Sequence, residues 1–408
     1  MADSATGAIV ATSLVTATGT APARGGALGS PSVMEDAGIA WEGGVITYVG
    51  PADGIPVADP EVFTGATIAP GFVDCHTHLP FVGWRADEFE LRLAGRTYRD
   101  LHGEGGIYRS ARLLAEASDE EVLAFCRPLL REMADHGTTT LELKTGYGLS
   151  VEAELRQARL ARRLAEEAPQ TCTVTLLACH AVPEGMERDD WVRKASEELI
   201  PAAAAEGLAD AVDVYVEDIA FTLRDLAVVG EAAAAAGLPV RCHADQLGPS
   251  GASEFAVKLG ARSADHLNNV SNEGIRALGE GGTVGVLLPA STFFMHATPP
   301  PVRTLVEAGA AVAIATDFNP GTSPVLSMPE VVSTACSLYR MAPLEALTAS
   351  TLNPAGVLGM ADRSGTLEVG KRADLLVLEG DAFRQVPYRP GHNPVLHAYT
   401  GGRRVGGR

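Results

Sequence analysis

Between about residues 70 and 350 the chain alternates short apolar, β-branched runs with longer stretches rich in Ala, Leu, Glu and Arg that carry helical periodicity. Eight such runs are read at residues 68–76, 138–143, 173–179, 211–216, 239–243, 262–266, 283–288 and 311–316. Stretches such as 150–168, 224–236 and 324–339 supply the crossover helices that parallel strands require. Eight strand-helix units predict an α/β fold, a TIM (β/α)8 barrel.

The flanks follow a different pattern. Residues 1–66 are rich in Gly, Thr, Val and Pro and contain short alternating pieces such as Gly44-Val45-Ile46-Thr47-Tyr48-Val49-Gly50. The tail repeats that style in Lys371-Arg372-Ala373-Asp374-Leu375-Leu376-Val377-Leu378 and in Tyr399-Thr400-Gly401-Gly402. We therefore expect one small β-sandwich-like domain built from both chain ends, residues 1–68 and 359–408, with the barrel of residues 69–358 inserted between them. No low-complexity linker separates the two, so they should pack closely. The connection from Leu79 to Gly137 is longer than a simple strand-to-helix loop needs and should shape the pocket.

Composition supports this picture. At 408 residues and 46% hydrophobic content, the chain can bury a barrel and a smaller domain. A formal charge of -19 argues against a nucleic-acid backbone or an anionic membrane as partner. The start, Met1-Ala2-Asp3-Ser4-Ala5, has no basic segment before an apolar core, and no stretch is apolar enough to span a bilayer. A cytoplasmic location is the expectation. The six cysteines, at 75, 126, 172, 179, 242 and 336, form no C-x-x-C pair and read as reduced, mostly buried thiols.

Candidate chemistry sits where the apolar runs end. The first closes in His76-Thr77-His78, and on an extended strand those two imidazoles share a face. Downstream, His180 ends the third run, His243 the fifth, His266 the sixth and Asp317 the eighth. In a barrel these are the C-terminal strand ends, where barrel enzymes keep their active sites. Three imidazoles and a carboxylate suit Zn, and also Fe or Mn, with a position open for water. His76, His78, His243 and Asp317 are the predicted ligands of one divalent or trivalent ion, zinc or iron. Such an ion lowers the pKa of water toward neutrality, which makes hydrolysis the natural reaction. Asp317 can also take the water's proton and pass it to a leaving nitrogen, while His266 polarises the scissile carbonyl or stabilises the oxyanion. His102, His136, His296, His392 and His397 have no such position and read as structural, although His102 lies in the long first loop.

This arrangement resembles the amidohydrolase superfamily, whose members carry His-x-His on strand one, histidines on strands five and six, and an aspartate on strand eight. The chain is similar to the branch that opens an imidazolone ring. The likeness rests on Arg85 after the paired histidines, Lys144-Thr145-Gly146-Tyr147-Gly148-Leu149, His180-Ala181-Val182-Pro183, His243-Ala244-Asp245-Gln246-Leu247, Ser263-Ala264-Asp265-His266-Leu267 and Thr316-Asp317-Phe318-Asn319-Pro320-Gly321-Thr322-Ser323-Pro324. The resemblance implies hydrolysis of the ring lactam of 4-imidazolone-5-propanoate to N-formimino-L-glutamate, a step in histidine degradation, by a homodimer. It further implies that Arg85, Tyr147, His180, Gln246 and Thr322 contact the substrate, and Tyr147, Asn319 and Gly321 the product. An anionic propionate entering an acidic protein needs a local cation, and Arg85 offers a bidentate fork.

The first loop departs from the branch's usual form at Phe81-Val82-Gly83, at Gly103-Glu104-Gly105-Gly106 and over residues 107–112. Gln246 stands where some members carry Glu, leaving a hydrogen-bonding amide in place of a second base. Two other readings compete: a related cyclic amidase or heterocycle deaminase using the same ligands, and a non-catalytic barrel. The first has no evident need for Arg85, and the second would be expected to lose ligands, of which none is missing.

Overall fold

The computed structural model describes residues 5–102 and 105–408, so Met1 to Ser4, Gly103, Glu104 and the side chains of Tyr98 and His102 lie outside the described residues. Fifteen strands form two sheets among these residues. The first four are β1 (Gly7–Thr16), β2 (Ser32–Glu42), β3 (Val45–Pro51) and β4 (Glu61–Pro70). The eight staves follow as β5 (Phe72–Asp74), β6 (Thr138–Lys144), β7 (Thr171–Cys179), β8 (Ala211–Val216), β9 (Val240–Ala244), β10 (Ser263–His266), β11 (Val284–Leu287) and β12 (Val312–Ile314). Last come β13 (Leu375–Glu379), β14 (Val395–Thr400) and β15 (Arg403–Gly406).

Strands β5 to β12 pair in sequence order, every pair parallel. The ends of the first and eighth staves clasp, since Asp317 N–H donates to the His76 carbonyl and His78 N–H to the Phe318 carbonyl, each at 2.9 Å. That closure brings residues 76–78 beside residue 317. The staves fall within a few residues of the predicted runs. Helices Val151–Glu167, Leu223–Ala235 and Met328–Tyr339 occupy the three crossover stretches read from periodicity.

The first run is shared between two sheets. Ile68 pairs with Val377 of β13, whereas Phe72 pairs with Thr138 of β6. The crossing falls between adjacent residues: Gly71 N–H donates to the Asp374 carbonyl and Phe72 N–H to the Gly137 carbonyl, both at 3.0 Å. Pro70 has no N–H to continue the ladder. Glycine is required at 71 because a Cβ there would overlap the Thr139 side chain. An apolar run buried in both sheets carries no mark of the change.

The other sheet has the order β15-β14-β13-β4-β1-β2-β3, four strands from one chain end and three from the other. The antiparallel β4–β13 pair joins the two ends, as expected from the flanking patterns. All six cysteines are free, four of them buried and Cys172 and Cys336 partly so. Among the described residues no helix is long and apolar enough to cross a membrane.

Candidate metal centre and substrate pocket

Five predicted side chains converge at the mouth of the barrel. Ring centroids of His76 and His243 lie 4.6 Å apart, His76 and His78 5.3 Å, and His243 and His266 5.3 Å. Asp317 Oδ1 stands 3.5 Å from His76 Nε2 and 3.3 Å from His78 Nε2. Two overlapping trios, His76 with His78 and Asp317, and His76 with His243 and His266, each hold their ligand atoms within 4.8 Å of one another. The Nε2 atoms of His76 and His243 are buried and make no hydrogen bond. Buried polar atoms left unpaired are costly, so converging lone pairs of this kind fit a cation.

Beneath them lies a layer of charge to which sequence reading assigned no role. His76 Nδ1 is 2.6 Å from Asp265 Oδ2, and the same oxygen accepts from Arg241 Nη2 at 2.8 Å. An oxygen already accepting from a guanidinium takes a second N–H, so His76 carries its proton on Nδ1 and presents Nε2 to the centre. His243 Nδ1 donates to Asp213 Oδ1 at 3.2 Å, with the same result. Lys144 Nζ bridges Glu142 at 2.9 Å and Asp213 at 2.7 Å, and Arg241 also grips Glu142. The signal was present in the strand period: Arg241 lies two residues before His243, and Glu142 two before Lys144, so each pair shares an inward face.

Burial pushes His76, His78 and His180 well below the ordinary imidazole range, and His266 down to about 3, so these rings are uncharged. Burial pushes Asp317 upward, opposed by the neighbouring histidines. Burial alone would also raise Asp213, but Lys144 and His243 hold it well below the usual carboxylate range. Four non-glycine residues at these strand ends adopt left-handed backbone: Asp245 (φ 52°), His266 (83°), Leu267 (61°) and Asp317 (55°). Such conformations cost about 1–3 kcal/mol each and cluster at functional sites.

The cavity above this cluster is lined by His78, Arg85, Tyr147, His180, Gln246, His266, Asp317, Asn319 and Thr322, together with His243 and the unforeseen Ile107 and Tyr215. The long first loop does shape it, contributing Arg85 and Ile107. Arg85 is 3% exposed. Its Nη1 donates to the Gly106 carbonyl and Ser110 Oγ, both at 2.7 Å, and its Nε faces Glu88 at 3.2 Å. His180 stacks on His78 at 5.3 Å and donates from Nδ1 to the Gly146 carbonyl at 2.9 Å. The Asn319 side chain is committed to its own loop, accepting from Gly321 N–H at 2.9 Å and Thr322 N–H at 2.7 Å. Away from the cavity, His136, His392 and His397 bond to Glu132, Glu379 and Tyr399.

Gly321 is not among the lining residues but sits behind Arg85, where a Cβ would overlap the guanidinium. Gly321→Ala is therefore expected to displace Arg85 and raise KM about tenfold, with a smaller effect on kcat. Steady-state kinetics check this, and an unchanged KM would show that Arg85 tolerates the added methyl.

Comparison with known proteins agrees with this geometry. The sequence pattern described as "Amidohydrolase family" matches residues 67–405. The imidazolonepropionase of Rhizorhabdus wittichii is 43% identical over 370 residues, covering 89% of this chain and 93% of its own. That of Rubrobacter xylanophilus is 44% identical over 382 residues, covering 91% and 92%. Among solved structures, a guanine deaminase from C. acetobutylicum superposes with a TM-score of 0.74 at 16% identity, covering 98% of this chain and 99% of that one. An adenosine deaminase from Xanthomonas campestris with bound zinc gives 0.69 at 20% identity, covering 97% and 92%. These two likenesses concern the fold. With the family pattern spanning most of the chain and the relatives aligned nearly end to end, the chain belongs to the amidohydrolase family and, within it, to the imidazolonepropionase family.

Proposed function

We propose that this chain hydrolyses the ring lactam C–N bond of 4-imidazolone-5-propanoate to N-formimino-L-glutamate, with His76, His78, His243 and Asp317 holding one metal ion. The observation that carries the reading is that Arg85, a buried cation, lines the same cavity as His78, His243, His266 and Asp317. A propionate carboxylate and a lactam carbonyl on one small molecule need those two features in one pocket. A neutral heterocycle deaminase has no use for the arginine.

A divalent cation at this centre supplies the positive charge that acidifies water and polarises a carbonyl. Imidazole and carboxylate donors suit zinc or iron. The chain's own residues do the rest. Arg85 anchors the propionate, with Tyr147, His180, Gln246 and Thr322 around the ring. His266, kept neutral by burial, donates a hydrogen bond to the developing oxyanion. Asp317 accepts the water's proton and delivers it to the departing nitrogen, after which Tyr147 and Asn319 contact the product and Gly321, behind Arg85, leaves room for the guanidinium. A cytoplasmic homodimer completes the reading.

Metal-analysed protein incubated with freshly generated imidazolonepropanoate tests the reading through loss of ultraviolet absorbance above the spontaneous background and through formiminoglutamate. The expected result is enzyme-dependent product that disappears on chelation and returns with added metal. No product from fully metallated protein would overturn the substrate assignment.

A further inference from the structure

The loop after β6 carries Tyr147 and is held in an uncommon way. Four consecutive N–H groups, from Gly146 to Leu149, are all captured by two side chains of the following helix, Val151–Glu167. Gly146 N–H donates to Glu154 Oε2 at 3.0 Å, Gly148 and Leu149 N–H to Glu154 Oε1 at 2.7 and 3.0 Å, and Tyr147 N–H to Gln157 Oε1 at 2.9 Å. Glu154 lies in the first helical turn and Gln157 one turn on, so both project from one face.

The Glu154 carboxylate is 1% exposed and has no Lys or Arg partner among the described residues. Its charge is met by oriented backbone N–H groups and by its place at the helix start. Gln157 has a second duty: its Nε2 donates to the Pro80 carbonyl at 2.8 Å, tying the Tyr147 loop to the segment that follows His78. The loop carries the constraint onward, because the Gly146 carbonyl accepts the 2.9 Å bond from His180 Nδ1. That bond leaves His180 Nε2 as the nitrogen available to a ligand. Both glycines are needed for so close a fit: a Cβ at 148 would overlap the Glu154 backbone, and one at 146 would come within 2.8 Å of His180 Nδ1.

We infer that Glu154 and Gln157, which lie outside the cavity, are positioning residues that set Tyr147 and His180 for recognition of the imidazolone. The inference rests on the proposed assignment of Tyr147 and His180 to substrate contact. A strand-end loop otherwise has many conformations. Here one turn of helix acts as a template that satisfies each of its donors in a single arrangement. Two pocket residues, contributed by the loops after β6 and after β7, are tied through this loop to Glu154 and Gln157.

The test is Glu154→Gln, which keeps shape but replaces one acceptor oxygen with an amide donor facing Gly146 N–H. The full-length metallated enzyme is compared with Tyr147→Phe and with the double variant. For a positioning role, KM for imidazolonepropanoate rises about tenfold while metal content and thermal midpoint stay near those of the parent. In the Tyr147→Phe background, the same change should cost clearly less than it does alone, because both act on one contact. Strict additivity, or a fall in thermal midpoint with KM unchanged, would make Glu154 structural and overturn the inference. Should Glu154→Gln fail to fold, Gln157→Leu removes one loop bond and the Pro80 link and is judged by the same cycle. If the parent itself opens no imidazolone ring, the substrate reading fails and the inference falls with it. An active parent with unmoved KM in both variants sinks the inference alone.

Discussion

Asp317→Asn is expected to lower kcat by at least about 1,000-fold while leaving the fold intact, because in the proposed reaction one carboxylate serves both the metal and the proton. Its Oδ1 stands 3.3–3.5 Å from two imidazole Nε2 atoms, where an anion is needed between electron-pair donors and a cation. An amide of the same shape brings no charge and takes no proton. The surrounding loop should survive, since Asn319 Nδ2 is bonded to the backbone carbonyl of residue 317 and Asp317 N–H to the His76 carbonyl. Metal content by elemental analysis, kcat and thermal midpoint are measured together. A variant keeping more than about a tenth of parental kcat would remove Asp317 from proton transfer.

The second large effect is expected at a residue that touches neither metal nor substrate. Arg241 bonds to Glu142 and to Asp265, and the latter orients His76. Within the layer three carboxylates, Glu142, Asp213 and Asp265, face two cations, Lys144 and Arg241, all essentially inaccessible to solvent. Arg241→Met leaves two buried acids without their fork. Breaking a buried pair by removing one partner costs about 3–5 kcal/mol, which urea unfolding of the metal-free protein would read. Loss of an outer partner of His76, a proposed metal ligand, should also weaken metal binding about 10- to 100-fold, measured by competition with a chromophoric chelator. Arg241→Lys should recover little, since a point charge cannot span both carboxylates. Parental stability together with parental metal affinity in Arg241→Met would mean that the layer does not position His76.

Much of the barrel was legible because a buried stave is apolar along its whole length and its crossover helix keeps a 3.6-residue period. The runs at 138–143, 211–216 and 262–266 reappear as β6, β8 and β10 with little change at their ends. The run at 68–76 shows where that reasoning stops. Both sheets bury it, so hydrophobicity does not register that hydrogen bonding changes sheets between Gly71 and Phe72. The site histidines were legible for a related reason: a polar residue closing an apolar run in a barrel lies at the active face. Gly321 is different, as its requirement depends on a guanidinium 236 positions earlier in the sequence.

The sequence by itself determined the staves, the two-ended second sheet and the inventory of imidazoles and carboxylates, because strand period and local polarity are properties of neighbouring residues. Tertiary structure alone decided that Asp265 from β10 turns the ring of His76, that Arg241 and Lys144 neutralise the acids beneath the centre, and that Glu154 holds the Tyr147 loop. The contacts of Asp265, Arg241 and Lys144 join different strands, and that of Glu154 requires the loop to fold back onto its helix. Their strength depends on exclusion of water, which arises only once the barrel has closed around them.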